Sequence, residues 1–590
     1  LEEIKKRHPS VGYFIKKTII TDNLFGVDIM EEAVEIAKLR LFLALVAAAN
    51  SEDELEPLPN IDFNILPGNS LIGLMHVEDE EFERRHPPEL FRKSYREVLA
   101  ETQRLIGTYR HTATYAEDLR ALRDQIAVQK QDAVETLNAI LLDEFAHLGI
   151  KYEQAVWDEK KNAEGKPKKR LLEIGDIEAL KPCHWGFEFD EIVNKRGGFD
   201  AIITNPPWEI FKPNAKEFFE EFSDLVTKKK MTIKEFEKEQ GKLLRDNELC
   251  KAWLEYQSDY PHVSAYFRAT PQYSNQISIV NGKKAGTDIN LYKLFLEQCF
   301  NLLREGGRCG ILTPAGIYTD LGSKQLRDML FSNTVIDSLY GIANEKFIFE
   351  NVHHAQKFCI TVFAKGLKTE YFEAAFRINP REAISPEDLD VFLHNTQEHI
   401  QMPVQLIRKL SPDSLSVMEF KNPTDIRISE KMLNFPLLGE EIVDKWTLRL
   451  NREFDMTNDS NLFKTEPSDG RISLYEGKMI WQFDHRYAEP RYWINEQEGR
   501  DAILGRQQDR GQNFDYQRYR IGVRAVASNT NERTLIGTLI PPRVFCGNSL
   551  LVDKDNALVT SEKIFIIALF GSFVLDAFLR LKVSQNINMF

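Results

Sequence analysis

The chain lacks any CxxC pair. Its six cysteines, at positions 183, 250, 299, 309, 359 and 546, are never closer than Cys299 and Cys309, which supplies neither a metal-binding pair nor a regular disulfide framework. Buried, reduced thiols in a cytosolic protein are the expectation. Long apolar runs are missing too. Leu1-Glu2-Glu3-Ile4-Lys5-Lys6-Arg7 is followed by no apolar stretch, and the run from Leu39 to Ala49 is interrupted by Arg40 and too short to span a bilayer. Secretion and membrane insertion are not expected, and a cytoplasmic location is. Basic charge is also in short supply. A net charge of −14 argues at first sight against a nucleic-acid partner.

What is present changes that view. Residues 441–590 hold 20 Lys+Arg against 20 Asp+Glu, so the whole acidic excess lies in the first 440. Within 471–543, eleven Arg and one Lys face nine acids, interleaved with Tyr475, Trp481, Tyr487, Tyr492, Trp493, Phe514, Tyr516 and Tyr519. Such a segment suits phosphate and base-edge contacts, and it also fits a solvated face of mixed charge.

With 590 residues and 43% hydrophobic content, several packed units are expected. Three short apolar runs end in polar residues: Asn23 to Asp28, Ile61 to Leu66 closed by Pro67-Gly68-Asn69-Ser70, and Phe199 to Thr204 leading into Asn205. A helical pattern from Glu31 to about Ala49 follows the first. Alternating strands and helices imply an α/β, doubly wound parallel sheet, with ligands beyond the carboxyl ends of its strands. A long insertion between the second and third runs carries helical spacing from Leu99 to Leu148, which predicts a helical hairpin with a packing or partner-docking role. A lysine-rich turn spans 160–170. A second, charged and mostly helical excursion reaches about 286.

Further along, Asp288 is predicted to cap a helix to Leu303, a strand to run from Arg308 to Leu312, a helix to cover 323–331, and strands to span Val335–Tyr340 and Phe358–Phe363, the last pairing antiparallel at a sheet edge. The domains are placed at 1–74 (core, first part), 75–198 (helical insertion), 199–370 (core, second part, with an insertion at 211–286), 371–440 (a connector of little regular pattern) and 441–590 (shorter strands and loops, with a final helix from Lys563 to about Leu581).

Asn205-Pro206-Pro207-Trp208 is the most informative stretch. Each proline fixes its own φ, removes a donor and pushes the preceding residue to an extended conformation, so the loop is stiff and its carbonyls stay free to accept. An amine-bearing planar base could donate to the Asn205 amide oxygen and the Pro206 carbonyl while Trp208 stacks on its ring. A proline-rich turn that ends a strand and buries an indole is the other reading of the same residues. Asp28 suits ribose hydroxyls, with Ile29 over an adenine face, and equally suits a helix N-cap. Asn69 could be a turn residue alone. All three lie at predicted strand ends, which favours a shared site.

Leu24-Phe25-Gly26-Val27-Asp28-Ile29, Gly68-Asn69-Ser70-Leu71, His184-Trp185 ahead of Gly198-Phe199-Asp200, and Asn205-Pro206-Pro207-Trp208 together resemble the successive motifs of N6-adenine DNA methyltransferases, in particular the large single-chain type IIG restriction–modification and BREX-type phage-defence group. Tyr475 to Ile480 with Phe483-Asp484-His485-Arg486, and Ser528 to Thr534, resemble that group's target-recognition domain. The resemblance implies a Rossmann-like class I methyltransferase sheet and a mixed α+β recognition domain at 441–590. It implies S-adenosylmethionine as cofactor, held by Asp28, Ile29 and Asn69, and adenine N6 in duplex DNA as target, with base flipping into a pocket built by Asn205, Pro206, Pro207 and Trp208. Lys478, Arg486, Arg524 and Arg533 are the candidates for DNA contact. The group's glycine-rich cofactor loop, expected upstream of Asp28, has no counterpart here, so weak cofactor binding by these residues alone is expected, as is a chain that continues at both ends. Other subunits of a defence system could dock on the helical insertion. Asp469 with Glu476-Gly477-Lys478 formally fits a nuclease pattern, but E-x-K triplets are common in a chain that is 28% charged. No metal site is expected. Two other functions fit these residues: a DNA-recognition subunit without turnover, and a protein-glutamine or RNA methyltransferase.

Overall fold

The computed structural model describes residues 10–49, 51, 59–85, 94–111, 116–160, 163–222, 233–280, 283–284, 288–442, 447–505, 507–527, 531–554 and 558–581. They fall into two units: Leu1–Gln276 with Asp288–Cys309, and Ile277–Thr287 with Gly310–Phe590.

After a helix at Val11–Thr18 and a turn of π-helix at Ile19–Asn23, the first unit has β1 (Gly26–Asp28), α1 (Glu31–Val46) and β2 (Ile65–Pro67), and the two strands pair in parallel with Asp28 opposite Pro67. A helix between parallel neighbours is the connection such pairing requires. Buried Asn64 fixes the entry to both strands, because its amide donates to the carbonyls of Thr21 (2.7 Å) and Leu24 (3.2 Å). The predicted hairpin is present as α2 (Tyr95–His111) and α3 (Ala116–His147). Leu105, Ile106 and Tyr109 meet Ile126 near its turn. The far half of α3 buries Leu137, Leu141 and Phe145, the last stacked on Tyr266 at 4.3 Å. The lysine-rich segment folds back as strand Lys168–Arg170 against Tyr152–Gln154, with residues 161–162 outside the described set.

Strand β3 (Phe199–Thr204) has the predicted boundaries. Its surroundings differ from a buried central strand: Ile203 is 90% exposed, and Asp200 faces Arg304 and Arg196. Gly198 enters it at φ +130°, where a Cβ would lie 2.5 Å from both the Arg304 nitrogen and the Leu302 oxygen. Only glycine tolerates that approach. One core of Leu66, Cys183, Trp185, Phe189 and Leu302, with Phe25, Val27, Phe199 and Ile202 packed on it, underlies β1, β2 and β3. Helix α4 (Leu291–Leu302) has Asn290 at its N-cap position, without a side-chain capping bond, rather than the predicted Asp288, which instead lies 3.4 Å from Lys212.

Strand β4 (Leu303–Pro314) begins in the first unit and ends in the second. The second unit then adds α5 (Lys324–Asn333), β5 (Thr334–Ala343), β6 (Lys357–Lys365), β7 (Tyr371–Arg377) and β8 (Ile400–Pro403), in the spatial order β8-β7-β5-β6-β4. Three predictions are corrected here. The sheet is mixed rather than wholly parallel: β6 runs antiparallel to β5, as expected of it, but β8 also runs antiparallel to β7, while β7 runs parallel to β5. Strand β6 lies inside the sheet and not at its edge. Segment 371–440 is no irregular connector: besides β7 and β8 it forms helices Leu389–His394, Val404–Leu410 and Pro423–Met432.

Beyond it, β9 (Leu450–Asn451), β10 (Arg471–Tyr475), β11 (Tyr492–Asn495), β12 (Arg520–Arg524), β13 (Gly537–Ile540), β14 (Phe545–Cys546) and β15 (Leu550–Asp553) make two small sheets, ordered β9-β15-β12-β13 and β11-β10-β14. The predicted final helix is two, α6 (Thr560–Phe570) and α7 (Phe573–Arg580), broken at Gly571-Ser572 where the serine hydroxyl accepts from Val574 N–H. All six cysteines are free and buried, as expected. Among the described residues no helix is long and apolar enough to cross a membrane, and no cluster of metal-ligand type occurs.

Candidate active site

The ends of β1 and β2 are joined before any side chain is considered, because the Gly68 N–H donates to the Asp28 carbonyl at 2.8 Å. The Asp28 carboxylate uses Oδ1 to accept from Met30 N–H at 2.9 Å and stands at the surface beside exposed Ile29 and Met30. That bond closes a turn ahead of α1, whose N-cap residue is Met30, and it occupies one oxygen. The Asn69 side chain accepts from Leu71 N–H at 3.1 Å, closing a turn, while its backbone pairs with Lys181 and Cys183.

Three side chains hold the loop that Asn69 opens. Trp185 Nε1 donates to the Ser70 carbonyl at 3.0 Å, and the Tyr273 hydroxyl donates to the Leu71 carbonyl at 2.6 Å. His184 Nδ1 accepts from Leu74 N–H at 3.3 Å, which leaves Nε2–H for the Asn138 amide oxygen at 3.0 Å. Burial pushes His184 down to about 3, so the ring is neutral. Tyr273 was not foreseen from sequence. It sits in an excursion without periodic signal, and only the fold brings it back to the loop after β2.

At the end of β3, Pro206 is buried, Trp208 is half-buried, and Asn205 and Pro207 are exposed. Among the described residues no donor reaches the Asn205 amide oxygen or the Pro206 carbonyl. Two acceptors are thus presented side by side on a backbone stiffened by two prolines, which suits a ligand amine. The loop's exit is tied down as well: Leu291 N–H donates to the Glu209 carbonyl and Phe211 N–H to that of Ile289. The core shared by β1, β2 and β3 supports the Asp28, Asn69 and Asn205 segments alike.

The four candidate cations of the second unit divide into two kinds. Arg524 donates to the carbonyls of Gly477 (2.8 Å) and Ile480 (2.7 Å), and Arg533 to those of Phe570 (3.2 Å) and Gly571 (2.9 Å), so both brace the local backbone. Lys478 lies 3.6 Å from Glu476. Arg486 is exposed, and no described residue pairs with its guanidinium. Of the second recognition-like stretch, residues 528–530 lie outside the described set. Phe347, exposed and left-handed at φ +52° after β5, is a further aromatic that no sequence pattern had marked.

A Methanocaldococcus jannaschii protein named as a type II restriction enzyme and methyltransferase is 31% identical over 258 residues, covering 36% of this chain and 21% of that protein, so the match spans about a fifth of the relative's length. Among solved structures, the type IIL restriction–modification enzyme MmeI in complex with DNA aligns at 12% identity and TM-score 0.33, covering 66% of this chain and 44% of its own. The ATP-dependent type ISP enzyme LlaBIII bound to DNA aligns at 8% identity and TM-score 0.38, covering 97% and 33%. The model of one family matches residues 22–247 and 266–349, more than half of the chain. The chain belongs to the Eco57I restriction-modification methylase family.

Proposed function

We propose that the chain is the methyltransferase and recognition part of a site-specific DNA adenine-N6 methyltransferase, working in a restriction–modification or phage-defence system. One observation carries this reading: the paired free acceptors of Asn205 and Pro206 on a proline-stiffened loop beside Trp208. Adenine N6 has two hydrogens to donate, and each acceptor takes one. Held so, the nitrogen lone pair is drawn less into the ring and faces an electrophile. Base flipping is required, because N6 in a stacked pair cannot enter such a loop.

The cofactor is S-adenosylmethionine, which supplies an electrophilic methyl on a sulfonium. The residues present fit it. Asp28 Oδ2 is left to accept from a ribose hydroxyl, and Ile29 and Met30 offer apolar surface to an adenine face. The Asn69 loop, clamped by Trp185 and Tyr273, borders the same strand end. With the cofactor bound, its methyl would pass to the N6 that Asn205 and Pro206 hold, and N6 would give up one proton to solvent. No covalent intermediate on the protein is needed, so positioning and fixed dipoles do the catalysis. The class I methyltransferase fold and the recognition role of residues 441–590 belong to the same proposal.

Methylation of plasmid DNA, read by single-molecule sequencing, tests it. N6-methyladenine in one sequence motif is the expected outcome, with N205A lowering the rate about 100-fold or more at unchanged DNA affinity. Site-specific binding without methylation of any motif would establish a recognition subunit instead. The open flank of β3, where Ile203 is bare, is what favours that second reading.

A further inference from the structure

We infer that Phe483 is a wedge that enters duplex DNA and unstacks a base step; this rests on the DNA reading above. Residues 481–484 form a tight turn: Trp481 N–H donates to the Asp484 carbonyl at 2.8 Å, and Asp484 N–H donates back at 3.1 Å. Phe483 occupies its third position at φ +63°, a left-handed conformation that turns of this kind give to glycine or asparagine. Its side chain is nevertheless 62% exposed. A strained backbone that presents a large apolar ring to solvent gains little for folding, and such outliers gather at functional positions.

The surroundings keep the ring proud of the surface. One edge rests on Gly571, where a Cβ would lie 2.5 Å from the Phe483 ring, and the carbonyl of Gly571 is held by Arg533. Phe483 N–H is anchored on the Gly537 carbonyl at 3.2 Å. Behind the turn, Tyr487 stacks on Trp481 at 5.3 Å and 25°, and the Arg524 guanidinium lies over the same indole at 5.3 Å. Arg524 is itself fixed by two carbonyls, so the turn is braced from both sides. Tyr487 remains 58% exposed, with a ring able to stack on a displaced base. Arg486, exposed and without a described partner, lies between the two aromatics in sequence and is free to meet a phosphate. An apolar wedge flanked by a cation and a stacking ring is the equipment with which proteins part base steps and kink the duplex.

The test uses the 590-residue protein with S-adenosylmethionine on relaxed plasmid DNA. Topoisomerase I treatment reports unwinding as a linking-number change, and filter binding reports affinity. F483N suits the left-handed backbone, so its melting temperature should equal or exceed that of the unaltered protein. It should bind within about threefold of the unaltered protein yet unwind at least about threefold less, and F483W should restore unwinding. Unwinding by F483N equal to that of the unaltered protein overturns the wedge. Binding without unwinding by the unaltered protein also overturns it while leaving the DNA reading intact. No binding at all overturns both.

Discussion

His184 shows how much of the candidate site depends on single protonation states. Its ring is neutral, buried, and bonded on both nitrogens, with its titration pushed down to about 3 by burial. The folded value lies below the ordinary imidazole value near 6.5, so the unfolded chain takes up the proton first as pH falls. Stability is fully present above about 6.5 and declines below it, by about 1.4 kcal/mol for each pH unit while only the unfolded form is protonated. Thermal unfolding between pH 7.5 and 5 should show that slope, and H184N should flatten it. Arg520 is a second case. It is buried, pairs with Glu453 at 3.0 Å and donates to the Val544 carbonyl at 2.6 Å, while burial raises Glu453 above the usual carboxylate range. R520A strands a buried acid and should cost about 3–5 kcal/mol in denaturant unfolding, against much less for the double variant R520M/E453M. Gly198, at φ +130° with backbone on either side, should not tolerate G198A: lowered yield and melting temperature are expected.

At the scale of elements, what could be read from the chain depended on how local the causes are. Strand β3 was read to the residue, because an apolar run between Gly197-Gly198 and two prolines has both ends marked. Its exposure was not legible, since burial depends on neighbouring strands. Segment 371–440 was misread for the same reason. Strands β7 and β8 are short and acquire their identity by pairing with β5, and no sequence window contains that partner. The start of α4 was placed two residues early: Asn290 holds the N-cap position without a side-chain capping bond, and its amide donates to the Asp288 carbonyl at 3.0 Å. At the candidate site, proline chemistry alone anticipates that the Asn205 amide oxygen and the Pro206 carbonyl are left without a described donor. Tyr273 and the bracing roles of Arg524 and Arg533 were not, because arginine in a basic segment carries no mark of where its guanidinium points. Helix Pro423–Met432, opened by an Asn422–Asp425 capping box, offers an element-level check: N422A should lower stability by about 1 kcal/mol in urea unfolding.

Over the whole molecule, charge is unevenly divided. The first 440 residues are acidic in excess and the last 150 are balanced, so long-range attraction to DNA should be weak and binding should depend on a few placed cations. The slope of log affinity against log salt should accordingly be modest, and R486A should reduce it by about one. Filter binding across 50–200 mM salt measures both. The twelve-residue strand Leu303–Pro314 has another consequence. Because it starts in one unit and finishes in the other, no cut along it yields two whole pieces. Anyone who expresses the halves separately, or fuses a reporter between them, would have to duplicate that strand in both fragments.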